Sequence, residues 1–226
     1  VGTGGCTFCN NEAFVPFYTH HADIDVQIEE GIGFLRKRYP RSAQFVAYFQ
    51  AYTNTYGDPD HLRDLYARVL SHPAISGLVI GTRPDCMDEA MLDFFATLSR
   101  THFVSIEYGV ESVYNDVLAQ VNRGHDYAAA RDAIRRTARR GLHTAAHFLF
   151  GLTGRQRELD SVRQINELPL SAVKFHQLQL MRDTPLAKRW LQGDRAGIHL
   201  FERREEYEDF IIEVLERLRP ALPVER

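Results

Sequence analysis

Two cysteines near the start of the chain have the type and spacing best suited to chemistry. Cys6 and Cys9 are two residues apart, with Phe8 between them and a glycine-rich run before them. Thiolates at this spacing can bind one soft metal centre, but a zinc site needs about four ligands and an iron–sulfur cluster at least three. The chain contains one further cysteine, Cys86. The local sequence therefore predicts an incomplete site, and because Val1 is not a start methionine we expect the natural protein to continue upstream, where a missing ligand would lie.

Composition limits the class of protein. The 226 residues suffice for one sizeable core, and a net charge of −3 provides no general attraction to nucleic acid or anionic membranes. No apolar run approaches the ~18 residues that a membrane span needs. Three cysteines do not make a disulfide framework. We therefore predict a single cytoplasmic domain over residues 1–226, with no membrane partner.

Short apolar runs alternate with amphipathic helical patterns along most of the chain, which indicates repeated βα units and a parallel sheet. Asp58 and Pro59 supply a helix cap and a first helical residue. The predicted strands are residues 45 to 52, 77 to 81, 102 to 106, 144 to 152 and 172 to 180. The predicted helices include residues 24 to 39, 113 to 121, 127 to 140 and about 202 to 219, and others follow the first, second and fourth strands.

Five such strands, with a sixth expected mostly upstream of Val1, predict an α/β fold: a partial (β/α)6 barrel, open and TIM-like, truncated at both ends. In barrels of this kind the chemistry lies at the C-terminal ends of the strands. Polar residues gather at those predicted ends, whereas structural polar residues would scatter to both. They are Gln50, Tyr52, Thr53 and Asn54; Thr82 to Cys86; Glu107 to Ser112; Asn122 to Asp126; Gly151 to Gly154; and Lys174, His176, Gln177 and Gln179.

Taken together, these segments resemble the radical S-adenosylmethionine (SAM) superfamily, and within it the YhcC-like proteins related to the catalytic subunit of Elongator. The resemblance covers essentially the whole chain. Its motifs are Gly-Thr-Gly-Gly-Cys-Thr-Phe-Cys at 2 to 9, Tyr-Phe-Gln-Ala-Tyr-Thr at 48 to 53, Gly-Thr-Arg-Pro-Asp-Cys at 81 to 86, Glu-Tyr-Gly-Val-Glu-Ser at 107 to 112, Asn-Arg-Gly-His-Asp at 122 to 126, Lys-Phe-His at 174 to 176 and Thr-Pro-Leu at 184 to 186.

The resemblance implies that Cys6 and Cys9 bind two irons of a 4Fe–4S cluster, with a third cysteine upstream of Val1. The fourth iron would bind SAM, and one electron from the cluster would cleave SAM to a 5′-deoxyadenosyl radical that attacks a substrate. A one-electron reductant of the flavodoxin or ferredoxin type is implied as a partner. The substrate is not readable from the sequence, and kinship to Elongator makes RNA one candidate.

The same resemblance implies SAM-binding roles, and two segments depart from the family pattern. Gln50-Ala51-Tyr52 stands where relatives commonly have Gly-Gly-Glu, and Thr153 and Arg155 interrupt a Gly-Leu-Pro-Gly-Glu pattern. The predicted cofactor-binding residues are Phe8, Gln50, Tyr52, Glu107, Ser112, Gly151 and His176.

Structural explanations compete with each of these roles. The cysteine pair can instead be a zinc knuckle or a redox pair, which would make the protein a barrel that binds zinc or a small ligand without radical chemistry. Cys86 fits a small buried hydrophobe, and His176 a core histidine. Glu107 and Glu111 can stabilise a helix N-terminus, and Arg123 and His125 can cap a turn. Five arginines fit a solvated helix face: Arg131, Arg135, Arg136, Arg139 and Arg140.

The barrel hypothesis makes a geometric prediction. Five residues that each follow or end a different strand should surround one cavity: Cys6, Gln50, Glu107, Gly151 and His176. Cys86 should lie on the same rim, too buried or too distant to replace the missing cluster ligand.

Overall fold

Six parallel strands form one curved sheet whose order in space follows their order in the chain. The structure is a computed structural model that describes residues 4–10, 23–195 and 197–225. The sheet makes a half-barrel, which confirms the predicted fold class. The strands are β1 (Phe45–Phe49), β2 (Ile75–Thr82), β3 (Phe103–Glu111), β4 (His143–Phe150), β5 (Ala172–Gln177) and β6 (Val224–Glu225).

Helices cover the outer face of this sheet, and local capping explains where several of them begin. Asp58, Asp88 and Asp126 each accept hydrogen bonds from backbone amides of the first turn. The helices are α1 (Ile24–Arg38), α2 (Pro59–Leu70), α3 (Glu89–Leu98), α4 (Asn115–Gln120), α5 (Tyr127–Arg139), α6 (Arg155–Asn166), α7 (Pro185–Leu191) and α8 (Arg204–Arg217).

Alternation along the strands separates an apolar outer face from a polar inner face. Ile106 and Tyr108 of β3 and Phe148 of β4 point outward and are buried in the main hydrophobic core. Glu107 and His147, at the alternating positions, point into the open barrel, where they line a cavity. The sequence thus builds its core between sheet and helices and leaves the barrel interior for polar side chains.

The element bounds differ from the sequence prediction mainly in β3. We placed the end of that strand at residue 106, but it continues to Glu111 through an irregularity between Gly109 and Glu111. The strand continues because Tyr108 and Val110 keep the outward alternation beyond a charged residue. Glu107 therefore lies in the middle of a strand, and its prediction as a residue after the strand end was wrong.

Two short elements were not predicted. Helix α7 begins at Pro185 with Thr184 as its cap, and β6 pairs with β5 through Val224 opposite Val173. The sixth strand of the described sheet is therefore β6, not a strand preceding the cysteine loop. The predicted strand over residues 45 to 52 and the strand over residues 172 to 180 are both shorter in the structure.

The arginine-rich face of α5 points away from the barrel, as predicted. Arg131, Arg135 and Arg139 are exposed. Arg136 and Arg140 make ion pairs with Glu89, and Arg140 also pairs with an aspartate of α3. These contacts tie α5 to α3. No helix in the described part of the chain combines the length and apolar character that a membrane crossing requires.

Candidate active site

One cavity of about 700 Å³ lies between the cysteine loop and the inner face of the sheet. Residues from the loop, from β1 to β5 and from the connections after them contribute to its wall. The lining residues are Gly4, Gly5, Cys6, Phe8, Cys9, Tyr48, Gln50, Ala51, Tyr52, Thr53, Tyr56, Gly81, Thr82, Arg83, Glu107, Gly109, Glu111, Arg123, His147 and His176. A cavity of this size suits a small-molecule ligand.

Backbone hydrogen bonds hold the cysteine loop over this cavity. The Cys9 amide donates to the Cys6 carbonyl at 3.2 Å, which closes a turn around the pair. The Thr7 amide donates to the Val121 carbonyl at 2.9 Å, and the Leu186 amide donates to the Thr7 carbonyl at 2.9 Å. The loop is therefore anchored both at the end of α4 and at the beginning of α7.

Arg123 brings a buried positive charge to the loop. Its guanidinium donates to the Cys6 sulfur at 3.5 Å and to the Gly109 carbonyl, and it lies 3.6 Å from the Glu111 carboxylate. Burial alone would lower the pKa of Arg123, but Glu111 and Cys6 outweigh it and raise the pKa. Burial, Cys6 and Glu111 raise the pKa of the Cys9 thiol, and Arg123 opposes them without reversing the effect. Arg123 is therefore the positive charge that favours thiolate at the cysteine pair, against burial and the neighbouring negative groups.

Glu107 organises the floor of the cavity. Its side chain is 2% exposed and accepts from Lys174 Nζ at 2.7 Å, His147 Nε2 at 2.8 Å and the Tyr48 hydroxyl at 2.6 Å. Burial favours the neutral acid, but hydrogen bonds from these three groups outweigh it and lower the pKa of Glu107 to about 2. The floor therefore holds a fixed carboxylate.

A second histidine extends this network toward the open part of the cavity. His176 Nε2 lies 3.1 Å from His147 Nδ1, and the two rings are 5.0 Å apart at an interplanar angle of 33°. Burial and the neighbouring His147 lower the pKa of His176. Lys174 lies over the Tyr48 ring at 4.9 Å, so the positive charge also contacts the aromatic wall.

The loop after β4 contains a second buried carboxyl group. Glu158, in the first turn of α6, accepts from the Gly151 amide at 2.6 Å and the Thr153 amide at 3.2 Å. Burial raises the pKa of Glu158 to about 7 against the opposing effect of these backbone hydrogen bonds. The carboxyl group therefore fixes the backbone of residues 151 to 153 through two hydrogen bonds.

Seven of the nine predicted site residues line the cavity: Cys6, Phe8, Cys9, Gln50, Tyr52, Glu107 and His176. Ser112 and Gly151 do not. Ser112 is buried beyond β3, where its hydroxyl accepts from the Tyr114 amide, and Gly151 packs against Leu178 and the His199 carbonyl. Of the five residues in the geometric prediction, four share the cavity, and Gly151 lies behind its wall.

Cys86 lies outside this cavity. It ends a short 3-10 turn, Pro84–Cys86, and lines a separate depression beside Thr55 and Asp88. Its thiol is half-buried, and burial together with Asp85 raises its pKa. Among the described residues, no three His, Cys, Asp or Glu side chains are grouped closely enough to hold a metal ion.

Three residues that shape the site were not predicted as site residues from the sequence. Arg123 was interpreted as a possible turn cap, yet it contacts Cys6, and Tyr48 and His147 received no individual role. A usable signal existed in β4, where His143 and His147 interrupt an apolar strand at even spacing and so fall on one face. Arg123 falls in a polar segment and in a motif of the family resemblance, but the sequence does not show its contact with Cys6, because its partners come from distant segments.

The fold and the cysteine loop define a class of protein, and a family comparison agrees with them. The Radical SAM superfamily model matches residues 2–164, and the chain belongs to this superfamily. This finding confirms the predicted class of enzyme. Members of the superfamily typically bind a 4Fe–4S cluster and SAM.

The more specific relatives are those that the sequence motifs indicated. Protein YhcC of Escherichia coli K12 is 32% identical over 226 residues, covering 99% of this chain and 70% of the relative. Human Elongator complex protein 3 is 31% identical over 123 residues, covering 52% of this chain and 22% of that protein. The structure of Elp3 from Methanocaldococcus infernus, with an N-terminal deletion, has a TM-score of 0.73 at 18% identity, covering 89% of this chain and 51% of that one. The chain spans about half the length of that structure.

The residues at the cavity suit an iron–sulfur cluster in part. Two cysteine sulfurs beside a buried guanidinium make a donor set of the right chemistry, since thiolates bind iron–sulfur clusters and nearby cations favour the thiolate form. Two thiolates are fewer than the three such a cluster needs. Cys86 lines a different depression and does not complete such a set with Cys6 and Cys9.

Proposed function

We propose that this protein is a SAM-cleaving radical enzyme in which Cys6 and Cys9 supply two thiolate ligands of a 4Fe–4S cluster and the barrel cavity holds SAM and a substrate. The observation that carries the proposal is the single cavity that joins the cysteine loop to the polar inner face of the sheet. The family match and the loop sequence alone do not show that the cysteines and the polar residues of the sheet share one cavity. When bound, the cluster and SAM supply a 5′-deoxyadenosyl radical, and a reductant of the flavodoxin or ferredoxin type supplies the electron.

In this proposal the residues of the chain bind SAM, orient it and shield it from water. Phe8 directly precedes Cys9 in the loop, lines the cavity and offers an aromatic surface to the adenine, and Gln50 and Tyr52 provide polar contacts at the rim. Arg123 holds the loop by its contact with Cys6 and balances thiolate charge. Gly151 acts indirectly in this proposal, through the backbone that Glu158 holds, and Ser112 through the turn that it stabilises.

The first test is metal content. The full-length protein, reconstituted without oxygen, should contain iron and sulfide and show a broad visible absorption that bleaches on reduction. Cys6→Ala or Cys9→Ala should abolish the absorption, whereas Cys86→Ala, the matched control, should leave it unchanged. Zinc in place of iron would support the zinc-binding alternative. An unchanged spectrum in both loop variants would show that Cys6 and Cys9 are not the cluster ligands.

The second test is SAM cleavage. The reduced, cluster-loaded protein should convert SAM slowly to 5′-deoxyadenosine and methionine without substrate, measured by liquid chromatography and mass spectrometry. Methylthioadenosine as the product would show a different use of SAM and contradict the proposal. Calorimetry should show weaker SAM binding in Phe8→Ala.

A further inference from the structure

Three side chains on the barrel floor form a continuous hydrogen-bonded series that ends in the open cavity. Glu107 Oε2 and His147 Nε2 are 2.8 Å apart, and His147 Nδ1 and His176 Nε2 are 3.1 Å apart. The three residues come from β3, β4 and β5, so the rigid part of the sheet fixes the series. None of them contacts Cys6 or Cys9 through a hydrogen bond that the structure describes.

The charge of Glu107 gives this series a direction. An ionised carboxylate only accepts hydrogen bonds, so His147 Nε2 must carry a proton. When both imidazoles are neutral, His147 Nδ1 is then an acceptor, and His176 Nε2 must donate to it. His176 Nδ1 is left with a lone pair, and it has no hydrogen-bond partner among the described residues. A fixed basic nitrogen therefore belongs to a residue that lines the cavity.

We propose that His176 is the acid–base catalytic residue for the substrate and that His147 and Glu107 are its positioning residues. The assignment rests on the proposed function and deepens it. The substrate class is a molecule whose reacting carbon bears a hydroxyl or amine group, because removing a hydrogen atom from such a carbon makes the attached O–H or N–H more acidic. The proton to be moved is then adjacent to the radical carbon.

The proposed step is a simple proton transfer. The substrate O–H or N–H bond breaks, its electron pair stays on the oxygen or nitrogen, and an N–H bond forms at His176 Nδ1. The proton on His176 Nε2 can then pass to His147 Nδ1, which places the positive charge next to Glu107. The transfer consumes no oxidant or reductant, and returning the proton reverses it.

The electrostatic surroundings leave His176 available as a base. Burial, His147 and Lys174 disfavour its protonated form, whereas Glu111 and Glu107 favour it. A purely structural ion pair would need only Glu107 and Lys174, which are already 2.7 Å apart. The two imidazoles extend that buried pair toward the cavity instead.

Acylation by diethyl pyrocarbonate tests the assignment without SAM or a known substrate. The full-length, cluster-loaded protein in its oxidised state is treated over a range of pH, and modification of each histidine is followed by peptide mass spectrometry. His176 should react faster than the exposed reference His61 at about pH 6, because burial and His147 lower the pKa of His176 and keep its imidazole unprotonated where an ordinary imidazole is partly protonated. In His147→Phe the excess should disappear, while the reactivity of His143 stays unchanged.

A second measurement protects the test against misfolding of the variant. Nitrogen NMR of the wild-type protein labelled at histidine should show His147 and His176 protonated at Nε2 and bare at Nδ1 near pH 8. A proton at His176 Nδ1, or equal reactivity of His176 and His61, overturns the assignment. Neither measurement uses SAM, so both test the role of His176 alone. Absence of 5′-deoxyadenosine in the cleavage assay would count against the proposed function, and the two proposals can therefore fail independently.

Discussion

Glu107 on the barrel floor and Glu158 behind the loop after β4 are both almost fully buried carboxyl groups, 2% and 4% exposed. Their pKa values move in opposite directions from an ordinary 4.5, to about 2 for Glu107 and about 7 for Glu158. Glu107 accepts from a lysine, a histidine and a tyrosine, whereas Glu158 accepts from backbone amides alone.

The difference shows that the partners, not the burial, decide the charge of a buried carboxyl group. Burial raises both pKa values, and side-chain donors that include a full positive charge reverse the effect at Glu107. At Glu158 one oxygen, Oε2, has no hydrogen-bond partner among the described residues, which leaves the charged form poorly supported. Glu107 on the cavity floor therefore stays ionised, whereas Glu158 behind the loop can gain or lose a proton near neutral pH.

The largest expected effect comes from removing the charge of Glu107. Glu107→Gln leaves Lys174 buried beside a neutral amide, with the partly exposed Glu225 carboxylate, 4.0 Å away, as its remaining charged partner, which should cost about 3 kcal/mol of the free energy of unfolding. Urea denaturation at pH 7 measures it. Adding Lys174→Met should restore most of the loss, because the double variant contains no buried cation that has lost its close partner. A loss below about 1 kcal/mol for Glu107→Gln would show that Glu225 suffices as the partner of Lys174.

The second prediction concerns pH and Glu158. Its pKa is raised on folding, so between pH 4.5 and 7 the native state binds more protons than the unfolded state. The contribution of Glu158 to stability should therefore fall as pH rises through this range, by about 3 kcal/mol in total. Comparing urea denaturation of the wild type and Glu158→Gln at pH 5 and pH 7.5 isolates it. Equal pH dependence in the two proteins would contradict the raised pKa.

The contribution of Glu107 to stability should change with pH in the opposite direction, and at lower pH, than that of Glu158. Its folded pKa lies below the unfolded value, so its stabilisation is complete above pH 4.5 and is lost as the pH falls toward 2.

A third prediction tests the loop that Glu158 supports. Gly151 has φ of +109°, and a Cβ there would lie 2.8 Å from both the His199 carbonyl and Leu178 Cβ. Gly151→Ala should therefore cost about 2–3 kcal/mol, measured by thermal and urea denaturation. Gly154→Ala is the matched control, since a Cβ at Gly154 meets nothing within 4 Å. Equal stability of the two variants would mean that the loop backbone can shift freely.

The smallest expected change in stability comes from removing a neutral hydrogen-bond donor to Glu107 while its cationic partner stays in place. Tyr48→Phe removes one neutral donor from Glu107 while keeping Lys174 and His147, and should cost about 1–2 kcal/mol. It should raise the pKa of Glu107, followed by carbon NMR of the side-chain carboxyl. A pKa shift as large as that in Lys174→Met would show that the hydroxyl lowers the pKa of Glu107 as much as the cation does.

Local sequence signals predicted the parts of the fold that local chemistry determines. Asp58 and Pro59 mark the beginning of α2, and Asp126 marks that of α5, because a cap needs only neighbouring residues. The two-residue strand β6 was not predictable in this way, since its pairing with β5 depends on the assembled sheet.

In the candidate site, too, features set by neighbouring residues were predictable and features set by distant residues were not. Cys6 and Cys9 were identified by their spacing, and four of the five residues chosen from predicted strand ends share a cavity. The error at Glu107 came from treating a charged residue as the end of a strand. An inward charge is compatible with a continuing strand when the barrel interior supplies partners, and those partners, Lys174 and His147, lie on strands that come later in the sequence.

The anchoring of the cysteine loop has a consequence for the order in which the protein is made. Thr7, near the beginning of the chain, needs the Leu186 amide of α7, and that helix leaves the ribosome only after β5. Contacts between such distant segments form slowly, because the long intervening chain must be ordered first. The two thiols are thus synthesised before the segments that fix their loop, and under the proposed function insertion of the cluster would follow completion of the barrel.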